Sequence, residues 1–273
     1  MSMMSVHGAD LFVDDGGGDG PPVLFMHGFL FDGRQFQAQV DALRGDYRCV
    51  TIDFRGQGRS RPARGGYQLE RQAADVVSVI RRLGLASVHL VGLSMGGFVG
   101  MRLAARQPEL VRSLTLINTS AAPHARLKHP KHASLAAVAR MVGLSPLTAA
   151  VEQEMYGPDF LGDPQREQER QVWRARWAAA DRASLVRGLL GFLVRPDMRP
   201  ELGDIAAPTL VIAGAQDVSL PAHYSREMHG LIRGSRYVEL ARVGHSSPVE
   251  APEEVTHALA SFLADAESAA RSV

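Results

Sequence analysis

Ser87-Val88-His89-Leu90-Val91 is a short apolar run, and Gly92-Leu93-Ser94-Met95-Gly96 follows it directly. The next ten residues, Gly97–Arg106, carry apolar side chains at helical spacing and end before a proline. The pattern therefore predicts a strand, a sharp turn and a helix, with Ser94 at the turn. Glycines at positions 92 and 96 fit this prediction, because a Cβ atom at either one would crowd the neighbouring strand or helix.

Two interpretations of Ser94 are open at this point. In a turn between a strand and a helix, a serine can simply cap the helix. Alternatively, the sharp turn exposes the hydroxyl so that it can attack a substrate. A hydroxyl is a poor nucleophile at neutral pH and needs a base to take its proton. The rest of the sequence has to supply that base.

Composition sets limits on the class of protein. A chain of 273 residues is long enough for one α/β domain with an insertion. The 30 basic and 29 acidic residues nearly balance, so no net charge indicates binding to nucleic acid or to an anionic membrane. The single cysteine, Cys49, excludes an internal disulfide and a thiolate metal cluster, and its apolar surroundings predict a buried, inert side chain.

The sequence also lacks targeting signals that we can identify. Residues 1–15 contain no basic patch followed by an apolar stretch, which argues against a signal peptide. No apolar segment approaches the roughly 18 residues that a membrane-spanning helix needs. We therefore expect a soluble, cytoplasmic protein, and the sequence leaves its oligomeric state open.

Short apolar runs predict strands, and the segments between several of them predict helices. The predicted strands are Ala9–Val13, Val23–Met26, Arg48–Ile52, Val88–Val91, Ser113–Ile117, Thr209–Ala213 and Arg236–Leu240. The predicted helices are Arg34–Leu43, Gln68–Leu83, Met95–Arg106, Ser225–Leu231 and Glu253–Asp265, the last followed by a frayed tail. This alternation indicates a mostly parallel, doubly wound sheet covered on both faces. The first two strands are instead predicted to form an antiparallel hairpin at the edge, through the glycine-rich segment 14–20.

Residues 119–204 interrupt the alternation, because they contain no convincing strand. They carry helical patterns at Ala133–Val142, Leu147–Met155, Gln165–Ala179 and Arg182–Val194. A structureless loop of this length is implausible inside a compact domain. We therefore predict a helical cap (lid) over 119–204, with residues 1–118 and 205–273 forming the core.

His245 is the best candidate for the base. Histidine is the natural choice because its ordinary pKa is about 6.5. His245 follows the last predicted strand, where a loop can reach the carboxyl edge of the sheet. The other nine histidines are placed less well: His89 lies in a strand, His257 in the final helix and His7 near the start. A loose cluster (His124, His129 and His132) has poor metal-ligand spacing and is interpreted as a solvated surface.

Asp217 is the candidate for the carboxylate that orients the imidazole. It directly follows the predicted strand Thr209–Ala213, again at a carboxyl edge. An acid in a turn is usually a cap, and a histidine after glycine is usually a loop residue. However, the chain order Ser94, Asp217, His245, with each residue at a strand end, is the order of a hydrolase triad on this kind of sheet.

A tetrahedral oxyanion needs hydrogen-bond donors. The candidates are the backbone N–H groups of Phe29, in a glycine turn after the second predicted strand, and of Met95, the residue after the serine. His27 stands beside this turn and is easily mistaken for a base. We expect it to support the loop through hydrogen bonds.

Together these motifs resemble the α/β-hydrolase family, in particular its small esterase, enol-lactonase and cofactor-free haloperoxidase-like members. The matching segments, spread over about residues 20–263, are His27-Gly28-Phe29, Asp53–Ser60, Gly92–Gly97, Gly214–Asp217 and Gly244-His245 with Glu250 and Pro252. The resemblance implies a helical cap inserted after the sixth strand. It also implies a nucleophile at Ser94, an acid at Asp217, a base at His245 and oxyanion amides at Phe29 and Met95. No metal, nucleotide or redox cofactor is implied.

The expected reaction is hydrolysis of a small-molecule carboxylic ester or lactone through an acyl-enzyme. A perhydrolase or haloperoxidase-like enzyme, a C–C bond hydrolase and a ligand-binding signalling protein without turnover remain alternatives on the same fold. Candidate substrate contacts are Leu30, Phe31, Trp173 and Trp177, although tryptophans at helical spacing are more often core. A substrate carboxylate could be bound by a cap arginine, and the candidates are Arg126, Arg140, Arg174, Arg176, Arg182 and Arg187, each also interpretable as part of a solvated helix face.

Overall fold

A single mixed sheet organises the chain. The computed structural model describes residues 1–124 and 129–271. The strands are β1 (Ser2–Val6), β2 (Ala9–Asp15), β3 (Pro22–Met26), β4 (Arg48–Ile52), β5 (Val88–Leu93), β6 (Val111–Ile117), β7 (Thr209–Gly214) and β8 (Arg236–Leu240). They form an 8-stranded sheet in the order β1-β2-β4-β3-β5-β6-β7-β8. From β4 to β8 all neighbours are parallel, so the predicted doubly wound, mostly parallel sheet is confirmed.

The edge hairpin differs from the prediction. β2 pairs antiparallel with β1 and with β4, and not with β3. The hairpin turn is His7-Gly8, where both residues have positive φ (45° and 72°), as a two-residue turn of this type requires. β3 pairs instead with β4 on one side and β5 on the other, and its side chains from Val23 to Met26 are wholly buried, as expected for a strand in a sheet covered on both faces.

The helices follow the predicted pattern with three differences. Their bounds are α1 (Gln37–Leu43), α2 (Leu69–Arg82), α3 (Met95–Arg106), α4 (His129–Val142), α5 (Thr148–Met155), α6 (Pro158–Gly162), α7 (Glu167–Ala178), α8 (Arg182–Leu193), α9 (His223–Leu231), α10 (Ser247–Glu250) and α11 (Pro252–Arg271). The short helices α6 and α10 were not predicted. The tail expected to be frayed is helical to Arg271, because Glu267 in its last turns is buried and contacts His89 and Arg112 at 3.0 Å each.

The helices α4–α8 lie between β6 and β7. Because β1 is an additional strand, β6 is the sixth, and the prediction of a helical cap after the sixth strand is confirmed. An apolar cluster joins this cap to the loop after β3: Phe31 packs against Trp173 and Trp177, with ring centroids 4.6 and 5.8 Å away. Among residues 1–124 and 129–271 we find no helix with the length and apolar character needed to span a bilayer.

Candidate active site

Ser94 occupies a strained turn between β5 and α3. Its φ of 50° and ψ of −109° are unusual for a residue with a side chain. Glycine surrounds it for a steric reason. A Cβ atom at Gly92 would lie 2.4 Å from the carbonyl oxygen of Gly96, and one at Gly96 would lie 2.0 Å from the carbonyl oxygen of Met26 in β3. The crowding expected from the sequence is therefore present on both sides of the turn.

His245 and Asp217 are joined directly. The imidazole Nδ1 lies 2.7 Å from Oδ2 of Asp217, and both side chains are buried. With the Nδ1 proton donated to the carboxylate, Nε2 is left as the acceptor. Burial alone would lower the pKa of His245, but the charge and hydrogen bond of Asp217, together with the charges of Glu250 and Glu154, outweigh it, so the pKa is raised. The second oxygen of Asp217, Oδ1, accepts the N–H of Leu220 at 2.8 Å.

Asn118 is a further member of this group that the sequence analysis did not identify. It follows β6 with a positive φ of 44°. Its side-chain amide donates to Oδ2 of Asp217 at 2.9 Å and to the carbonyl of Gly244 at 3.1 Å. Its side-chain oxygen accepts the hydroxyl of Ser247. The residue thus connects the loops that carry the carboxylate and the imidazole. An asparagine at a predicted strand end was the available signal.

Glu250 fixes the backbone on both sides of His245. Its carboxylate accepts the N–H groups of Gly244 (2.8 Å) and Ser246 (2.9 Å). It also accepts the N–H of Gly157, just before α6 in the cap, at 2.8 Å. Burial raises the pKa of Glu250, and the three N–H donors oppose that effect because they favour the ionised form. The residue appeared in the sequence only as part of a motif, and the structure gives it this contact with the cap.

Ser94 and His245 line the same cavity, of about 540 Å³, between the sheet edge and the cap. Its walls are mostly apolar, from α4, α5 and α8 together with Phe98 and Leu220. Within the described residues no hydrogen bond joins the Ser94 hydroxyl to the His245 ring. Hydrogen bonds of this kind commonly form only in the complex with a substrate.

The loop after β3 brings Phe29 to the cavity, opposite the start of α3. The first N–H groups of a helix have no partner within the helix, which applies to Met95. In the described part of the chain, neither the Met95 nor the Phe29 N–H donates to another protein group, whereas the next amide, Leu30, donates to Gln57 at 3.0 Å. Gln57, which was not predicted, also approaches the Met95 sulfur at 3.8 Å and so spans both sides of the predicted oxyanion site.

His27 supports this loop from below, as expected. Its Nε2 accepts the N–H of Phe54 at 2.9 Å, and its Nδ1 contacts the carbonyl of Gly28 at 2.7 Å. Burial lowers the pKa of His27, which favours the neutral ring that these two contacts require.

Cys49 is buried as predicted, and burial raises the pKa of its thiol to about 11.

Of the predicted substrate contacts, the structure brings Leu30 to the cavity but not Phe31, Trp173 or Trp177. These three aromatic side chains pack on one another and on Tyr156 in the cap cluster, so they are not among the residues that line the cavity. Aromatic pairs at these distances stabilise one another beyond the apolar area that they bury.

The predicted carboxylate-binding arginines that the structure describes do not line the cavity either. Arg174 is paired with Glu152 and Glu167, and Arg182 donates to the carbonyl of Met141. Within the described ranges, the arginine that lines the cavity is Arg195, which the sequence did not predict. Arg126 lies outside the described residues, as do the side chains of His129 and His132.

His124 also lines the cavity. In the part of the chain that the structure describes, no group of three or more histidine, cysteine, aspartate or glutamate side chains is placed to hold a metal ion. Among the described residues, the charged and titratable groups of the cavity wall are His245, His124, Glu154 and Arg195.

Comparisons with known proteins agree with this architecture. The chain is 32% identical over 258 residues to a Mycobacterium tuberculosis protein that bears the provisional name non-heme bromoperoxidase BpoC, covering 92% of this chain and 96% of that protein. It is 28% identical over 250 residues to 3-oxoadipate enol-lactonase 2 of Acinetobacter baylyi, covering 91% and 90%. The crystal structure of the enol-lactonase from Burkholderia xenovorans superposes with a TM-score of 0.90 at 28% identity, covering 96% of this chain and 100% of that one.

The family model described as the alpha/beta hydrolase fold matches residues 21–252, which include every motif discussed above. Its relatives include proteins that are named as hydrolases. The chain therefore belongs to the α/β-hydrolase fold family.

Proposed function

We propose that this protein is a serine hydrolase that cleaves a carboxylic ester or lactone through Ser94, His245 and Asp217. The observation that carries the proposal is the buried 2.7 Å contact between His245 and Asp217, in the wall of the cavity that Ser94 also lines. The kinship with enol-lactonases supports the substrate class. In this proposal residues 119–204 act as the cap over a core of 1–118 and 205–273.

The mechanism has two steps. His245 Nε2 takes the proton of Ser94 as the hydroxyl oxygen attacks the carbonyl carbon, and Asp217 stabilises the imidazolium that forms. The N–H groups of Phe29 and Met95 stabilise the oxyanion, where one donor is typically worth about 3 kcal/mol. The imidazolium then protonates the leaving alkoxide, which in a lactone remains tethered to the acyl group. Water, deprotonated by the same imidazole, hydrolyses the acyl-enzyme.

Ser94→Ala tests the proposal. With a panel of 4-nitrophenyl acyl esters and small lactones, kcat should fall by several orders of magnitude while substrate binding changes little. The control is Thr119→Ala, which removes a neighbouring buried hydroxyl that donates to the Ser94 carbonyl at 2.8 Å. It shows how much activity is lost when the turn at Ser94 is disturbed but its hydroxyl is kept. Wild-type turnover by Ser94→Ala would end the assignment.

Peroxide is a second candidate for the nucleophile of the deacylation step, because the relative at 32% identity bears a bromoperoxidase name. The same acyl-enzyme would then release a peracid. Peracid formation from acetate and hydrogen peroxide, lost in Ser94→Ala, would distinguish this activity from simple hydrolysis.

A further inference from the structure

Arg195 is a buried cation in the wall of the cavity. It lies just after α8, and its side chain is 8% exposed. Nε donates to the carbonyl of Ala122 at 3.0 Å and Nη1 to the carbonyl of Phe192 at 3.3 Å. The guanidinium carbon lies 4.3 Å from the centre of the Phe98 ring, which lines the same cavity. These contacts hold the guanidinium in one place.

No acidic side chain compensates this charge among the described residues. The undescribed segment 125–128 is Ala-Arg-Leu-Lys, which has no acidic residue to offer. Arg102, the neighbour whose charge acts on Arg195, is itself paired with Glu70. Burial lowers the pKa of Arg195 to about 10, so the guanidinium is still charged at neutral pH. A buried charge without a counter-ion is costly, and in a cleft it indicates a site for an anionic group.

The cavity also contains a carboxylate, which gives it polarity. Glu154 accepts the hydroxyl of Ser219 at 3.1 Å, and its negative charge acts on His245. An anionic ligand would be attracted on the side of Arg195, which orients a substrate that carries one acid group.

We propose that Arg195 binds the carboxylate of an ester or lactone substrate whose acid group lies a few carbon atoms from the scissile carbonyl. The proposal rests on the function proposed above and names the substrate class. Phe98 lies one helical turn after Ser94, and its N–H bonds the Ser94 carbonyl at 3.0 Å. The four residues from Ser94 to Phe98 advance by about 6 Å along the axis, which a short acyl or alkyl chain can bridge.

The test compares two esters of the same shape. Mono-4-nitrophenyl glutarate ends in a carboxylate, and 4-nitrophenyl 5-methylhexanoate ends in a neutral group of similar size. The ratio of their kcat/KM values is the readout, since a loss of folded enzyme lowers both values equally. The wild type should favour the glutarate by tenfold or more. Arg195→Met should reduce that ratio by roughly ten- to a hundredfold, the range for a hydrogen bond to a charged group.

Arg195→Lys should keep part of the preference, because the charge remains while the planar fork is lost. The matched control is Arg187→Met: Arg187 also donates to a backbone carbonyl, that of Ala63, but it is exposed and does not line the cavity. The ratio should not change in this variant.

A second pair of substrates, 4-acetoxybutanoate and 4-methylpentyl acetate, places the acid on the alcohol side. A preference for the anion in either pair that Arg195→Met removes supports the proposal. Equal use of both members of both pairs, or a preference that Arg195→Met leaves intact, overturns it. Ester turnover that survives in Ser94→Ala would instead contradict the proposed function, so the two failures are distinguishable.

Discussion

The side-chain amide of Asn118 and the imidazole of His245 donate to the same oxygen atom of Asp217, at 2.9 and 2.7 Å. The carboxylate is therefore held by a residue at the end of β6 as well as by the residue that it orients. Because Asn118 also bonds the carbonyl of Gly244, it fixes the position of the loop that carries His245.

Asn118→Ala should lower kcat by about tenfold or more while KM changes little, because a hydrogen bond to a charged group is typically worth 1.5–3 kcal/mol. Steady-state kinetics with a 4-nitrophenyl ester measures the effect. Ser225→Ala is the control, since it removes a buried hydroxyl without a hydrogen-bond partner among the described residues. Wild-type kcat in Asn118→Ala would mean that Asp217 needs no such support.

The pH dependence of the wild type follows from the raised pKa of His245. A general base acts when neutral, so kcat/KM should rise with pH through an apparent pKa above the ordinary 6.5. In Asp217→Asn burial still lowers the pKa of His245, and only the more weakly acting charges of Glu250 and Glu154 oppose it, so the rising limb should move to lower pH. The plateau should fall by roughly 10⁴-fold because the ring loses the partner that fixes its tautomer. An unshifted limb in the variant would contradict the assignment of Asp217.

Glu250→Gln should loosen the cap and the His245 loop together. The amide group of glutamine cannot accept all three N–H donors, so the free energy of unfolding should fall by about 2 kcal/mol. Limited proteolysis within 119–204 should become faster and kcat should decrease. Glu201→Gln is a matched control, because Glu201 pairs with the partly exposed Arg106 and such pairs contribute about 0–1 kcal/mol. Equal stability of the two variants would show that Glu250 does not hold the cap and the His245 loop together.

Gly96→Ala should abolish activity and destabilise the fold by about 3 kcal/mol or more, since the new methyl group would lie 2.0 Å from the Met26 carbonyl oxygen. Gly100→Ala in the same helix meets only side-chain ends, at 3.1 and 3.3 Å, and should change stability by less than about 1 kcal/mol. Thermal unfolding and ester turnover of both variants provide the comparison. Tolerance of Gly96→Ala would show that α3 can move away from β3.

The sequence could predict those residues of the candidate site that directly follow a strand. Ser94, Asp217 and His245 follow three strands of a parallel sheet, and the carboxyl ends of such strands meet at one edge. The order of strands and helices along the chain is therefore enough to predict that these three residues lie close together. The strand β1 escaped prediction because just one of its five residues is buried, which leaves little apolar signal. Without it, the glycine-rich segment 14–20 resembled the hairpin turn.

The partners of residues that act over long separations in the chain were not predictable. Asn118 lies 99 positions from Asp217, and Gln57 lies 38 positions from Met95. Trp173 and Trp177 had the composition of a substrate pocket, yet they are buried among other rings of the cap. The same apolar pattern is expected for a substrate pocket and for the packed interior of the cap, so hydrophobic periodicity cannot distinguish the two.

The sequence alone determined the elbow at Ser94, the alternation of strands and helices, and the helical insertion, because these depend on apolar periodicity and on the steric need for glycine within a few residues. The tertiary structure decided the character of the cavity. Among the basic residues that the structure describes, Arg195 is distinguished by its burial together with the lack of a described acidic partner. Both properties arise from contacts between segments far apart in the chain, which no local pattern encodes.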